Sequence, residues 1–316
     1  MSTKGFRYLF GPVASRRFGR SLGVDLLGQR VCSFDCVFCE AGPTQTCTTD
    51  RAVYVPTDVV LAELRAWLGA GGTADVITLA GRGEPTLHRQ FGVVIDAIHG
   101  MCTMPVVLLS NGSLLSDEHV RRDAARADIV KISLSGWDDA SLEAVNRPAK
   151  GMDFDSYLSG MVAFREVFKG ELRLEVMFVD GVNTDEANVA QLADCVAKVG
   201  ADKIELNTVV RPPADVTASA VTETELERYA GLFGPQAVVI GHPAVVEHSG
   251  FVDGGQAPSL REQILGLLAR RGCTWDEMAE GLCCSQEHLQ HCLQSLQDDG
   301  VVQEAASRPG FFQLVS

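Results

Sequence analysis

Between about residue 20 and residue 241, short apolar runs alternate with amphipathic stretches, and this alternation constrains the fold more than any other feature of the chain. The strand-like runs are Val76–Ala80, Pro105–Ser110, Ile129–Ser135, Leu172–Val179, Lys203–Val210 and Ala237–Gly241. They are rich in Val, Ile and Leu, as strands buried on both faces of a parallel sheet tend to be. Between them, Phe91, Val94, Ile95 and Ile98 share one helical face. Val189, Leu192, Val196 and Val199 share another, after a polar start at Thr184-Asp-Glu. Repeated βα units predict an α/β sheet or barrel with right-handed crossovers. Functional residues then belong at the carboxyl ends of the strands, where the loops converge.

Residues 242–258 carry Pro243, Gly250, Gly254, Gly255 and Pro258 among polar residues and read as a linker between residues 1–241 and 259–316. Beyond it, Ile264, Leu267 and Leu268 share a helical face, a second helix is predicted over Thr274–Leu282, and a third carries Leu289, Cys292, Leu293 and Leu296. Val301-Val302 and Phe311–Val315 read as two strands around an Arg308-Pro-Gly turn. Three helices and a hairpin predict a small α+β, winged-helix-like domain. Its charge argues against DNA. Residues 258–316 hold four arginines, no lysine and eight acids, and the presumed recognition helix, Ser285–Asp299, has neither Lys nor Arg. Phosphate neutralisation supplies most non-specific DNA affinity. Docking of a peptide or protein, or simple structural cover, is the expected role.

The chain has 316 residues, 46% of them hydrophobic, enough for a large core and a small second domain. A net charge of −14 disfavours a general nucleic-acid surface. No charged and apolar leader pattern opens the sequence, and no apolar run approaches a membrane span, so the expectation is a cytoplasmic protein without a membrane partner. Ten cysteines in that setting point to metal, redox or buried thiols rather than disulfides.

Three of those cysteines, Cys32, Cys36 and Cys39, stand in the run Cys-Ser-Phe-Asp-Cys-Val-Phe-Cys. Iron–sulfur clusters are normally held by four thiolates. Thiolates at i, i+4 and i+7 in a loop can wrap three corners of a cube and leave one iron open, and an open metal position marks chemistry rather than support. The competing reading is a zinc knuckle, but zinc wants four ligands and no fourth stands nearby. A second landmark, Gly83-Glu84-Pro85, follows the strand Val76–Ala80.

With these residues in place the chain resembles the radical S-adenosylmethionine (radical SAM) enzymes over about residues 20–241. The opening Phe10-Gly-Pro-Val-Ala-Ser-Arg-Arg-Phe-Gly-Arg-Ser-Leu-Gly is similar to a bacterial and archaeal subgroup related to the tRNA wybutosine-synthesis enzymes. The resemblance implies a partial (β/α)6 TIM-like barrel, a [4Fe-4S] cluster on Cys32, Cys36 and Cys39, and S-adenosylmethionine chelated to the fourth iron by its amino and carboxylate groups. One electron then cleaves the sulfonium to a 5′-deoxyadenosyl radical, which abstracts hydrogen from the substrate. A low-potential flavodoxin or ferredoxin is the implied electron donor.

The same resemblance places Glu84, in its Gly83-Glu84-Pro85 turn, on the methionine amino group, Phe38 near the adenine, Ser133 on the ribose and Arg173 on the methionine carboxylate. Ser135, Asn111 and Asn207, all on strands or strand ends, are further cofactor candidates. Each has a plain alternative: Glu84 as a surface carboxylate, the serines satisfied by backbone, Arg173 as a snorkelling surface side chain. Arg16, Arg17 and Arg20 form a basic island in an acidic chain, and Arg211-Pro-Pro lies beyond the sixth strand. Each is open between anion binding and a solvated loop. Cys195 and Cys292 share apolar helical faces and read as core. Cys47 is the odd candidate for a radical partner or extra ligand, and Cys273, Cys283, Cys284 and Cys292 raise the question of an auxiliary cluster. The substrate expectation is a peptide, protein or small metabolite. tRNA stands against the charge, and a non-catalytic iron–sulfur protein for electron transfer or redox sensing is the alternative class.

Overall fold

A computed structural model of the chain describes residues 6–15, 17–240, 259–269, 272–282, 284, 286–306 and 308–315. It opens with β1 (Leu9–Ser15) and β2 (Gly19–Val24), then two short strands, β3 (Val31–Cys32) and β4 (Thr46–Cys47). Alternation follows: α1 (Thr57–Gly69), β5 (Val76–Leu79), α2 (Phe91–Met101), β6 (Val106–Ser110), α3 (Glu118–Ala124) and β7 (Ile129–Ser133). It continues with α4 (Asp139–Asn146), α5 (Phe154–Val167), β8 (Glu171–Phe178), α6 (Glu186–Val199), β9 (Lys203–Thr208), α7 (Glu223–Ala230) and β10 (Ala237–Val239). The large sheet runs β1-β2-β5-β6-β7-β8-β9-β10. Every pairing from β2 to β10 is parallel, and β1 joins β2 antiparallel. This is the α/β, parallel-dominated sheet that the alternation predicts. Strand β1 was not expected, because Gly11 and Pro12 sit inside it. It lies at the sheet edge with an irregularity between Phe10 and Val13, which is where proline is tolerated.

The two predicted helical faces are buried as read. Phe91, Val94, Ile95 and Ile98 on α2 and Val189, Leu192, Val196 and Val199 on α6 join one core, together with Cys195. Helix α6 stops at Gly200, whose φ of 67° only glycine adopts without strain. On β8, Leu172, Leu174, Val176 and Phe178 face this core and are fully buried.

The opposite face of the same strands is charged. Successive side chains on a strand alternate between faces. The register sets Lys131 beside Arg173, Arg173 beside Lys203, Glu175 beside Ser133 and Glu205, and Met177 beside Asn207. From the β1–β2 turn Arg17 reaches in and pairs with Glu175 and, at 2.6 Å, with Glu205. Lys131 Nζ lies 2.8 Å from the other Glu175 oxygen. Arg173 pairs with Glu171 at 2.9 Å and Glu205 at 3.2 Å and lies over the Phe18 ring. Barrels of this type are usually filled with Val, Ile and Leu. Buried ion pairs are often matched or exceeded in stability by apolar replacements, so stability does not account for a polar interior.

The C-terminal unit comprises α8 (Leu260–Leu268), β11 (Cys273–Thr274), α9 (Trp275–Leu282), α10 (Gln286–Asp298), β12 (Val302–Glu304) and β13 (Phe311–Leu314). Its antiparallel sheet has the order β11-β13-β12. Ile264, Leu267, Leu268, Leu289, Leu293 and Leu296 form its core as read from the sequence, with Cys273 buried among them and Cys292 packed against it. The two-residue strand β11 is too short to show a period and was not expected. Thr274 caps the second helix instead of belonging to it: its hydroxyl accepts from Glu277 N at 3.2 Å. The linker 242–258, Arg16 and Cys283 lie outside the described residues. The unit rests on the sheet edge: Val13 of β1 packs on its core and Arg308 donates to the Val209 carbonyl.

Two outcomes follow from this architecture. Phe178 is fully buried, with its ring centroid 4.8 Å from that of Tyr229 and 6.1 Å from that of Phe233. Phe178→Ala is expected to cost about 3–5 kcal/mol, measured by denaturant unfolding. Burial alone would raise the pKa of Glu175, but Arg17 and Lys131 outweigh it and hold the carboxyl far below the usual carboxylate range. A depressed folded-state pKa stabilises fully above the unfolded value, about 4.3, and that stabilisation is lost as pH falls below it. Glu175→Gln should therefore flatten the acid limb of the stability–pH curve below about pH 4.5 while the wild type keeps its slope.

Candidate active site

The loop that carries the three cysteines is built on the end of a helix. A helix leaves its last carbonyls without partners. At the end of α4, Arg147 turns left-handed (φ 46°) and the carbonyls of Val145 and Asn146 stay open. Asp35 N donates to Asn146 O at 3.0 Å and Val37 N to Val145 O at 3.0 Å, while Ala149 N donates back to Ser33 O at 2.8 Å. The Asp35 carboxylate accepts from Thr44 N at 2.7 Å, and Thr44 Oγ1 donates to Phe34 O at 2.8 Å, which closes the far side of the loop. Cys32 is thereby fixed at the end of β3, and a turn with Cys39 N donating to Cys36 O at 3.1 Å fixes the other two.

Glu84 is brought beneath this loop by Gly83. A Cβ at position 83 would fall 1.7 Å from the carbonyl oxygen of Val31, the residue before Cys32. Only glycine allows the turn after β5 to pass so close, and Glu84 N then donates to Val31 O at 3.2 Å. The Glu84 carboxylate is 2% exposed. Its Oε1 accepts from Thr86 N (3.1 Å), Thr86 Oγ1 (2.6 Å) and Ser110 Oγ (2.8 Å), and its Oε2 from Asn111 N (2.7 Å). Burial raises its pKa, opposed by these hydrogen bonds. A carboxylate has about four acceptor positions, two per oxygen, so Oε2 retains capacity for a further donor.

Cys32, Cys36, Cys39, Phe38, Gly83, Glu84, Asn111, Ser133 and Asn207 all line one cavity of about 380 Å³, within the range of small-molecule sites. The charged barrel face supplies the facing wall through Arg17, Lys131 and Glu175, and Met177 adds an apolar surface. Burial is the largest cause that pushes all three thiols up, Cys39 to about 11. Any metal that binds them must therefore displace protons. Among the described residues no three His, Cys, Asp or Glu side chains are grouped for a single metal ion. A cluster spreads its thiolates over separate irons, and three thiols around one cavity, with carboxylate and amide groups beside them, suit that donor set.

Three of the expected residues stand elsewhere. Pro85 begins a short 3-10 turn over Pro85–Leu87 behind Glu84 and does not line the cavity. Ser135 Oγ accepts from Met177 N at 3.0 Å and its carbonyl accepts from Asn183 Nδ2 at 3.0 Å, so it ties β7 to β8. Arg173 is engaged by Glu171 and Glu205 and does not line the cavity, although Lys131 beside it in register does; the strand period alone could not tell which partners hold its side chain. Arg17 is a cavity residue. Arg20 turns outward, its guanidinium on the Thr73 carbonyl at 3.2 Å. Arg211 is buried between Glu40, next to Cys39, and Glu277 of the C-terminal unit. Cys47 is exposed and off the cavity. The described cysteines are all free of disulfides.

Lys131, Glu175 and Tyr157 were missed. The signal for the first two was present: Lys131-x-Ser133, Arg173-x-Glu175 and Lys203-x-Glu205-x-Asn207 place polar residues at period two inside apolar runs. Tyr157 of α5 gave no such signal. Its buried hydroxyl donates to the Asn111 carbonyl at 3.0 Å and reaches the Ser133 carbonyl, clamping the ends of β6 and β7.

Comparison with known proteins gives the superfamily. The radical SAM superfamily model matches residues 26–193. A UPF0026 protein of Synechocystis sp. is 34% identical over 209 residues, which is 66% of this chain and 77% of that protein. A Brachyspira hyodysenteriae protein named GTPase Obg is 31% identical over 297 residues, 94% of this chain; the chain spans 43% of that protein's length. Among solved structures, a radical SAM methyltransferase from Sphaerobacter thermophilus superposes with a TM-score of 0.52 at 19% identity, over 69% of this chain and 65% of that one, and shows a shared fold. The superfamily works with a [4Fe-4S] cluster and S-adenosylmethionine. The chain belongs to the radical SAM superfamily, with UPF0026 proteins among its relatives.

Proposed function

We propose that this chain is an enzyme whose cluster is held by Cys32, Cys36 and Cys39 and whose S-adenosylmethionine lies in the cavity above Glu84. The observation that carries this is the convergence of the three thiols and the Glu84 carboxylate on one cavity, from segments about fifty residues apart in sequence. When bound, the cluster supplies a low-potential electron and S-adenosylmethionine supplies a 5′-deoxyadenosyl radical that takes hydrogen from the substrate. The protein's part is to bind, orient and exclude water. Glu84 Oε2 would accept an N–H from the methionine amino group. Ser133, at the end of β7, and Asn207 on β9 present polar groups to the ribose side. Asn207 Oδ1 is buried without a hydrogen-bond partner, as a ligand-facing atom would be. Phe38 packs beside Val37 and Met177 and offers a face to the adenine.

The substrate we propose is a peptide, protein or small metabolite, with the winged-helix-like unit as the docking element. Its α10 has no Lys or Arg, and the chain carries a net charge of −14, both unfavourable to tRNA. A low-potential flavodoxin or ferredoxin is the proposed donor, in the cytoplasm. Among the described residues no helix is long and apolar enough to cross a membrane.

Anaerobically reconstituted protein given S-adenosylmethionine and dithionite is expected to release 5′-deoxyadenosine. Cys36→Ala should lose both this product and the cluster iron, and retention of both would sink the assignment. Glu84→Gln should keep its iron but bind S-adenosylmethionine about 10- to 100-fold more weakly, the worth of one charge-assisted hydrogen bond. Equilibrium dialysis would read this directly.

A further inference from the structure

Asn146, the last residue of α4, sits behind the cysteine loop and does not line the cavity. Its backbone carbonyl holds Asp35 N, and its side chain points the same way: Nδ2 donates to Cys36 Sγ at 3.2 Å. The residue is 2% exposed, and its Oδ1 is buried without a hydrogen-bond partner. A buried amide with one atom unsatisfied is a poor choice for stability, because an apolar side chain of similar shape would avoid the penalty. What the amide adds over leucine is an N–H aimed at a sulfur. A second amide, Asn111 Nδ2, stands 3.5 Å from Cys32 Sγ, but that side chain is also held by Ser33 and Ser113. Asn146 has no such second task.

We infer that Asn146 is a positioning residue that sets the reduction potential of the cluster through its hydrogen bond to Cys36. The inference rests on the function proposed above. An N–H on a ligating sulfur stabilises the form with more negative charge there, which is the reduced cluster, and hydrogen bonds to the sulfurs are one of the levers by which proteins set cluster potentials. The same helix end that shapes the loop thus also governs how readily the cluster accepts its electron.

The test is an EPR-monitored redox titration of the reconstituted full chain and two variants. Asn146→Leu removes the polar group at similar size, and Asn146→Asp keeps the shape but replaces the N–H donor. Both should hold wild-type iron and titrate with a more negative midpoint. A tenfold shift of the equilibrium toward the oxidised cluster corresponds to about 59 mV for one electron. Unchanged midpoints in both variants at full iron content overturn the inference. If both variants lose the cluster, selective 15N-asparagine labelling of the unsubstituted protein decides. Two inequivalent nitrogen couplings to the reduced cluster, from Asn146 and the more distant Asn111, support it, and one or none overturns it. Unsubstituted protein that takes up no cluster at all removes the proposed function and this inference with it.

Discussion

The cysteine loop has no regular structure of its own, and its shape depends on backbone hydrogen bonds to the C-terminal turn of α4. Those bonds satisfy two groups at once: carbonyls that a helix end leaves open and amides that an irregular loop would otherwise bury unpaired. The left-handed Arg147 ends the helix at the residue where the loop needs its carbonyls, and the Arg147 guanidinium then pairs with Asp215 at 2.6 Å, whose own amide donates to Val37 O at 2.9 Å. Two distant segments therefore fix the loop that carries Cys32, Cys36 and Cys39.

Beneath the loop, the barrel separates its two faces by the simplest rule of a strand. Leu172, Leu174 and Val176 supply the apolar attachment to the helices, while Arg173 and Glu175 on the same strand face inward. The inward face contributes little net stability as a set of ion pairs, but it gives the cavity a polar wall held rigidly by Arg17 and Lys131. Lys131 is itself pushed down by burial and by Arg17, with Glu175 and Glu205 pulling the other way. The apolar face carries stability, and the charged face carries the site.

The C-terminal unit is joined to this arrangement at a sensitive point. Arg211 is 6% exposed and lies between Glu40, the neighbour of Cys39, and Glu277 on α9. The Glu40 and Glu277 charges raise its pKa against the opposing effect of burial. Val13 both lines the cavity and packs on the core of the unit. The unit therefore packs behind two residues of the cavity lining, Val13 and Arg211, although its sequence reads as a separate small domain.

The apolar runs and helical faces determined an α/β sheet with parallel strands, because periods of 2 and 3.6 record directly which side of an element is buried. The spacing of Cys32, Cys36 and Cys39 and the Gly83-Glu84 pair were equally legible, because their chemistry is local to a few residues. Only the tertiary structure decided that Asn146, Tyr157, Arg17 and Glu175 meet around that site, that Arg173 is held by Glu171 and Glu205 instead of lining it, and that Ser135 serves the sheet. These assignments depend on strand order, on register and on which loop docks against which helix end. No local period encodes contacts between residues 110 or more positions apart, such as Asn146 with Cys36 or Arg17 with Glu175.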